Sequence, residues 1–195
     1  MILVDKPLYL FVGKSASGKS TIANFLEKMH GHKQVNSYTT RKPRYHDEPG
    51  HIFLSDTEFD QLGELAAFTR YNGRRYGVTY ELLNQCDIYV IDVPGVASLL
   101  HNLHGTRTIH IIYFDAAVSI RIDRMIDRHS SDMEIVSRLR NDDTTEDWYR
   151  ELDKLVWHYK NIEQHDVELH KIDANENIEN VLQQVLYYMN ENEME

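Results

Sequence analysis

An eight-residue segment near the start of the chain constrains its fold more than any other feature. Residues 13–20 have the sequence GKSASGKS, which matches the pattern G-x-x-x-x-G-K-[ST] at every fixed position. The apolar run Leu8–Val12 comes directly before it, and apolar residues recur at helical spacing from Ile22 to Met29 after it. A glycine-rich loop between a buried strand and a helix presents backbone N–H groups to an anion. The segment therefore predicts a phosphate-binding loop that follows a parallel strand.

The same loop predicts ATP and Mg²⁺ as cofactors. Gly13 and Gly18 permit the tight turn, and Lys19 is predicted to reach the β- and γ-phosphates as a catalytic residue. The Ser20 hydroxyl is predicted to bind Mg²⁺. The residues predicted to bind ATP are Gly13, Lys14, Ser15, Ala16, Ser17, Gly18, Lys19, Ser20 and Thr21. No NKxD-like motif is present, which argues against a GTPase.

Alternating strand and helix patterns extend this prediction to the whole chain. Strand candidates lie at residues 88–91, 108–114 and 167–172, and helix candidates lie at residues 116–128, 146–164 and 178–189. Their order predicts an α/β domain with the three-layer P-loop NTPase fold and about five parallel strands. Residues 39–80 break the alternation with prolines, glycines and short aromatic runs, so they are predicted to form an inserted acceptor-binding lobe. Residues 1–38 and 81–195 would form the core of this single domain.

Composition narrows the class of protein. The chain has 195 residues and a formal net charge of −10, which argues against binding along a nucleic-acid backbone. No apolar run approaches the roughly 20 residues needed to span a bilayer, and the first residues lack the pattern of a signal peptide. The single cysteine, Cys86, excludes an internal disulfide. We expect a cytoplasmic monomer or homodimer that binds small-molecule substrates and neither nucleic acid nor a membrane.

Four further segments resemble those of a known enzyme family. They are residues 37–44 (SYTTRKPR), 49–55 (PGHIFLS), 72–78 (NGRRYGV) and 92–96 (DVPGV). In sequence and in order they resemble guanylate kinases, which are P-loop nucleoside monophosphate kinases, and the resemblance covers nearly the whole chain. It implies a phosphotransferase that moves the γ-phosphoryl group of ATP to a nucleoside monophosphate, GMP or dGMP.

The resemblance also implies a set of acceptor-binding residues. These are Ser37, Arg41, Arg44 and Tyr76 around the acceptor phosphate, with His51, Val78, Thr79 and Asp92 at further acceptor positions. Independently of the family, two arginines three positions apart can offer a dianion a bidentate fork. Asp92 closes an apolar strand, where P-loop enzymes place a carboxylate near Mg²⁺, so it is predicted as a metal ligand with Ser20. The alternative role for Asp92 is the N-cap of a helix.

The chain departs from the guanylate-kinase pattern at positions that read the base. The family glutamate that binds guanine is replaced by Ala67, the family tyrosine just before the F-x-S segment by His51, and the serine after Tyr-Gly by Val78. An alanine side chain accepts no hydrogen bond from guanine. Similar segments in ribose 1,5-bisphosphate kinases suggest an acceptor without a base as an alternative. A second alternative is a guanylate-kinase-like binding module without catalysis, although the intact Lys19 and Ser20 argue against it.

Arginines cluster again at residues 121–140, where the resemblance implies a mobile lid at about 125–142. Arg124, Arg128 and Arg138 match the family pattern and are predicted to contact the transferring phosphoryl group. A closing arginine can accelerate phosphoryl transfer 10³-fold or more, because it neutralises charge on the equatorial oxygens. Arg121 and Arg140 are instead predicted to pair with nearby aspartates.

The histidines offer only weak signals of metal binding. His101 and His104 could share a helix face near His110, but no acidic ligand stands at a recognisable spacing from them. Cys86 is predicted to be a small apolar residue.

Overall fold

A parallel β-sheet forms the centre of the molecule in the computed structural model, which describes residues 6–43, 46–103, 107–142 and 147–190. Its strands are β1 (Leu8–Val12), β6 (Ile88–Val90), β7 (Ile109–Asp115) and β8 (Val167–Asp173), in the order β6-β1-β7-β8. The predicted α/β class is confirmed. Among the described residues the sheet has four strands, where about five were predicted. Next to β6, Gln34 forms an isolated parallel bridge to Ile88 in place of a fifth strand, and the residues that follow it belong to a second sheet.

Helices cover both faces of this sheet and give it three layers. Alternate residues of β1 point to opposite sides, so Leu8, Leu10 and Val12 join one apolar cluster while Tyr9 and Phe11 join the other. Helices α4 (Val93–Leu103) and α7 (Trp148–Asn161) pack in the first cluster. Helices α1 (Lys19–His30) and α8 (Ile178–Asn190) pack in the second. Because every residue of β1 is buried, the strand reads as a continuous apolar run.

The inserted lobe is built on a second sheet. Its strands are β2 (Ser37–Thr39), β3 (His51–Phe53), β4 (Leu65–Tyr71) and β5 (Arg74–Thr79), in the order β3-β2-β5-β4. A two-residue turn joins β4 to β5, and its residues Asn72 and Gly73 have φ of 48° and 72°, as a tight hairpin of this kind requires. Helices α2 (Asp56–Asp60) and α3 (Tyr80–Leu83) complete the lobe.

Two helices, α5 (Val118–Asp127) and α6 (Asp132–Asp142), occupy the region predicted as a lid. His129, between them, has a φ of 56°.

The helix α4 was missing from the sequence prediction, because Pro94 and Gly95 in its first turn resemble a loop signal. Proline is nevertheless well suited to the first turn, where its missing N–H would have no partner. Among the described residues, no helix is both long enough and apolar enough to span a bilayer.

Candidate active site

The phosphate loop connects β1 to α1, as its sequence predicts. Gly13 lies at a φ of 153°, and a Cβ atom there would come within 2.7 Å of the Phe114 carbonyl oxygen. Gly18, the N-cap of α1, has a φ of 103°, which disfavours any L side chain. Both glycines are therefore required by the backbone path. The backbone path places the N-terminus of α1 at the carboxyl end of the parallel strands, which is where folds of this class bind ligands.

Lys19 lies inside the loop. Its ammonium group donates to the carbonyl oxygens of Gly13 at 2.6 Å and Lys14 at 2.9 Å, and to the Ser17 hydroxyl at 3.2 Å. Burial lowers the pKa of Lys19 from 10.5 to about 8, against the opposing effect of the Asp142 carboxylate. The site therefore holds its main positive charge in a poorly hydrated position, where electrostatic interactions with phosphate are stronger than in water.

A buried ion pair supports the loop from helices α5 and α6, which are called the lid here after the prediction for this region. Arg121 of α5 donates to Asp142, the last residue of α6, at 2.7 Å, and both side chains are almost fully buried. The other contacts of the Asp142 carboxylate are the Ser15 backbone N–H at 2.9 Å and the Ser15 hydroxyl at 3.0 Å. The predicted pairing of Arg121 with a nearby aspartate is confirmed. The contact to Ser15 was not predicted, and it connects the lid helices directly to the phosphate loop.

A cleft of about 660 Å³ lies between the loop, the lid and the inserted lobe. The loop side contributes Ser20 and Thr21, and the lid contributes Arg128 and Arg138. Arg128 also donates to the Thr21 hydroxyl at 3.3 Å. Three separate parts of the sequence thus place polar and positively charged side chains around one space.

Arg124 has a different environment from the two lid arginines that line the cleft. Its guanidinium donates to the Ser17 carbonyl oxygen at 3.3 Å and to the Ala174 carbonyl oxygen at 2.9 Å, with longer contacts to the carbonyl oxygens of Ala16 and Glu176. These contacts join the phosphate loop to the segment after β8. In this arrangement the side chain stabilises the loop, and its predicted catalytic role stays a prediction.

The inserted lobe brings Ser37 and His51 to the same cleft. The Ser37 hydroxyl and Nδ1 of His51 lie 3.0 Å apart across the parallel pair β2–β3, and the His51 ring meets the Tyr76 ring edge-on at 5.7 Å. His51 therefore occupies the site at which the family resemblance implies a tyrosine, and it presents a ring nitrogen beside the serine.

Arg41 is paired with a carboxylate that sequence reasoning did not consider. Its two terminal nitrogens donate to the two oxygens of Glu48 at 2.9 and 3.0 Å, and both side chains are largely buried. The guanidinium also lies 5.1 Å from the centre of the Phe53 ring. The planar fork is thus fixed in orientation by a bidentate pair and an aromatic face. Arg44, the predicted partner of Arg41, lies outside the described residues.

Asp92 follows β6 and lines a second, smaller cavity of about 200 Å³. Its carboxylate accepts from the Gly95 N–H at 2.8 Å and from the Thr69 hydroxyl at 3.1 Å. Burial raises the pKa of Asp92, and these two hydrogen bonds oppose the rise. The side chain therefore does cap α4, which was the alternative to its predicted role, and it also faces the cavity with Lys19.

The smaller cavity extends from the phosphate loop into the space between the two sheets. Its lining residues are Gly13, Ser15, Lys19, Ser37, His51, Thr69, Tyr71, Tyr76, Tyr89, Val90, Ile91, Asp92, Asp142 and Trp148. Since Ser37 and His51 line both cavities, the two spaces meet at the β2–β3 pair. Together they form one candidate site.

Neither cavity is lined by Arg41, Val78 or Thr79, or by Ala67 at the family's guanine-reading position. Val78 is fully buried in the core, and the Thr79 hydroxyl accepts from the Leu82 N–H as the N-cap of α3. Ala67, which stands in place of the family glutamate, pairs with Val78 and is 1% exposed. Thr69 and Tyr71, two and four residues further along β4, reach the small cavity instead.

Several residues of the site were missed in the sequence. Asp142, Glu48, Thr69 and Tyr71 belong to no recognisable short motif, and only their positions in space bring them to the loop or to Arg41. The one available signal was strand alternation: if residue 67 faces inward, residues 69 and 71 face the same way.

Comparison with known proteins supports the fold. Neither protein-family models nor curated protein sequences gave a match to the chain. Among solved structures, the chain is similar to guanylate kinase from Anaplasma phagocytophilum, with 17% sequence identity and a TM-score of 0.59. The similarity covers 98% of this chain and 88% of that one. The chain therefore has a guanylate-kinase-like fold, a three-layer α/β arrangement with an inserted lobe.

Proposed function

We propose that this chain is an ATP- and Mg²⁺-dependent phosphotransferase whose acceptor is a small molecule that carries a phosphate group. One observation carries the proposal: a single cleft is lined by Ser20 of the phosphate loop, by Arg128 and Arg138 of the lid, and by Ser37 and His51 of the lobe. Donor and acceptor groups would therefore face each other inside one enclosed space. The structural similarity of the chain to a guanylate kinase supports the same class of reaction.

The charges around the cleft fit transfer between two phosphates. Such a reaction brings two anionic groups together, and it is catalysed mainly by positioning and by neutralising negative charge. Lys19 would bind the donor phosphates, while Arg128 and Arg138 would act on the transferring group. No general base is needed, because an oxygen of the acceptor phosphate is already a nucleophile.

Ser20 at the end of the phosphate-loop motif and Asp92 after β6 offer oxygens of the kind that bind Mg²⁺. Mg²⁺ is usually held by one or two protein oxygens together with the phosphates and water. The Ser20 hydroxyl and the Asp92 carboxylate would supply those oxygens, and the ion would neutralise charge on the β- and γ-phosphates.

The proposed acceptor is a nucleoside monophosphate, GMP or dGMP. Next to the cleft, the smaller cavity combines the aromatic side chains Tyr71, Tyr89 and Trp148 with the polar groups of Thr69 and Asp92. The flat aromatic walls suit the stacking of a planar base. A kinase of ribose 1,5-bisphosphate is the second candidate, because Ala67 is buried and leaves the family's guanine-reading position without a polar group.

A coupled ADP-release assay tests the proposal. Purified protein with ATP and Mg²⁺ would be offered GMP, dGMP, AMP, CMP, UMP, dTMP and ribose 1,5-bisphosphate. We expect turnover with GMP or dGMP, and a loss of about 10²- to 10³-fold in kcat for Lys19→Ala, the magnitude found when one electrostatic donor to a transition state is removed. Lys28→Ala, on the exposed side of the same helix, is the matched control and should retain full activity.

The outcomes separate the candidates. Turnover with ribose 1,5-bisphosphate alone would keep the mechanism and change the acceptor. ATP binding without turnover of any acceptor would overturn the proposal in favour of a non-catalytic binding module. The expected cytoplasmic location and the monomeric or homodimeric state stay predictions, to be measured by fractionation and by light scattering.

A further inference from the structure

A cluster of two histidines and a glutamate lies on strands β7 and β8, apart from the proposed active site. His110 is opposite Glu168 in the parallel register of these strands, and His170 follows Glu168 by two residues. Since strand residues alternate between faces, all three side chains project from the same face of the sheet. Their sequence positions, 60 residues apart, explain why no motif indicated them.

The donor atoms of these side chains converge. Nδ1 of His110 and Nε2 of His170 are 3.2 Å apart, and Oε2 of Glu168 lies 3.7 Å from the first and 3.6 Å from the second. Three ligands on a tetrahedral zinc ion, with bonds of roughly 2.0–2.1 Å, are separated by about 3.3 Å. The three distances are therefore close to those of one face of a zinc coordination tetrahedron.

The chemistry of the donors fits the same ion. Two imidazoles and a carboxylate form a set used by zinc and by neighbouring divalent transition metals, whereas Mg²⁺ and Ca²⁺ prefer oxygen ligands alone. His110 is buried, at 2% exposed, so its ring has little competition from bulk water at this position. His170 and Glu168 are partly exposed, which leaves a path for an ion and a water molecule as the fourth ligand.

Aromatic packing holds the two rings in place. His110 is packed between Tyr9 and His170 with ring centres 5.5 Å apart on each side, and His170 stacks on Tyr188 of α8 at 4.4 Å. The hydroxyl of Tyr9 in turn donates to the Met189 carbonyl oxygen at 3.1 Å. The imidazoles are thus oriented by β1 and by the last helix, so that less conformational entropy is lost when an ion binds.

We propose that His110, Glu168 and His170 form a binding site for one divalent transition-metal ion of the zinc type, which joins β7 to β8. The alternative occupant of this space is a proton shared between the two imidazoles. In the metal-bound form the proton of His110 lies on Nε2, which has no hydrogen-bond partner within the described residues. We therefore expect weaker metal binding than at a site in which the second ring nitrogen of each histidine donates a hydrogen bond to an acceptor.

The predicted consequence is stabilisation of the fold by metal. We expect Zn²⁺ to bind with a stoichiometry of one in calorimetry, and to raise the Tm by about 5 °C or more once its concentration exceeds the Kd a hundredfold. Co²⁺ should give the visible absorption of a tetrahedral nitrogen and oxygen site. All titrations use the full chain without nucleotide, because ATP itself binds zinc.

Variants separate this site from the other histidines of the chain. His170→Gln and Glu168→Gln, both at partly exposed positions, should fold and should weaken Zn²⁺ binding at least about tenfold. The matched control is His158→Gln on α7, which removes a similar exposed histidine that lies 3.6 Å from Glu163. It should bind as the wild type does. Equal Zn²⁺ affinity in wild type, His170→Gln and Glu168→Gln would overturn the proposal, as would the absence of saturable binding at one equivalent.

Discussion

The phosphate loop and the inserted lobe achieve their arrangement by different means. The loop depends on its backbone: Gly13 and Gly18 set its path, and a single continuous segment supplies every group. The lobe depends on side chains from separate strands, with Ser37 on β2, His51 on β3 and Tyr76 on β5. A site formed by backbone groups tolerates few substitutions, because most of them would change the path of the chain. A site formed by side chains from separate strands can change its chemistry through the substitution of single residues. The half that contains the phosphate loop is therefore recognisable in sequence, and the half in which we propose that the acceptor binds can diverge.

The largest expected effect is the loss of stability when the buried ion pair between Arg121 and Asp142 is broken. Asp142→Ala leaves Arg121 buried without its partner, so we expect the free energy of unfolding to fall by about 3–5 kcal/mol. Urea denaturation measures the change.

The matched control for this variant is the double substitution Arg121→Met with Asp142→Leu. It removes both charges and should recover most of the lost stability, because a buried pair can often be replaced by apolar residues of similar volume. If the double variant is no more stable than Asp142→Ala, the loop does not depend on charge balance at this position.

The next largest effect is the pH dependence of stability that Lys19 causes, which an ordinary surface lysine would not show. Its pKa is about 8 in the folded protein and about 10.5 in the unfolded chain, so between these values the unfolded chain binds more protons. Stability contributed by this group should therefore rise as the pH increases from 8 to 10.5, by about 2–3 kcal/mol relative to Lys19→Met. The two proteins would be compared by urea denaturation at each pH. A constant difference across this window would show that the ammonium is well hydrated.

The lobe is tested by Arg41→Lys. Lysine offers no planar fork, so it loses the bidentate pair with Glu48, which lines the cleft beside Ser37 and His51. We expect KM for the acceptor to rise about tenfold, the effect of one charged hydrogen bond, with KM for ATP unchanged. Initial-rate kinetics with each substrate varied in turn separate the two constants. An equal rise in both would show that the lobe and the loop are not independent.

The smallest effect is expected for Thr69→Val. The change removes the hydroxyl that donates to Asp92 and keeps the shape of the side chain. We expect a loss of about 1 kcal/mol in stability and a further rise in the pKa of Asp92, which moves the acidic limb of the activity profile to higher pH. Ser98→Ala, which removes a hydroxyl bonded to the Phe68 N–H outside both cavities, is a control whose profile should keep its acidic limb.

The sequence was informative wherever one continuous segment determines the structure. Leu8–Val12, the glycines of the loop and the apolar spacing of α1 are local patterns, so the strand, the turn and the helix were all predicted correctly. Helix α4 was missed because its proline and glycine are compatible with both a turn and the first turn of a helix. About five strands were predicted for the central sheet; the described residues form four, with an isolated bridge at Gln34 beside β6.

Contacts between distant residues could not be predicted in this way. Glu48 binds Arg41 and Asp142 binds Ser15, yet nothing in the local sequence of either acid distinguishes it from the other acidic residues of the chain. The same is true of His110, Glu168 and His170, which come together only through the register of β7 with β8. Pairing across a sheet depends on which strands become neighbours, and periodicity within each strand carries no information about that choice.

The central position of β1 has a consequence for how the chain acquires its structure. This strand precedes its partners in the chain: the residues that pair with it lie about 80 positions later in β6 and about 100 later in β7. Contacts of such long range make folding slow, because the entropy of closing large loops must be lost before the strands gain any pairing energy. On a ribosome, the phosphate loop would remain without its supporting sheet until β7 has emerged. Truncated chains that end before residue 109 should therefore lack the proposed nucleotide binding.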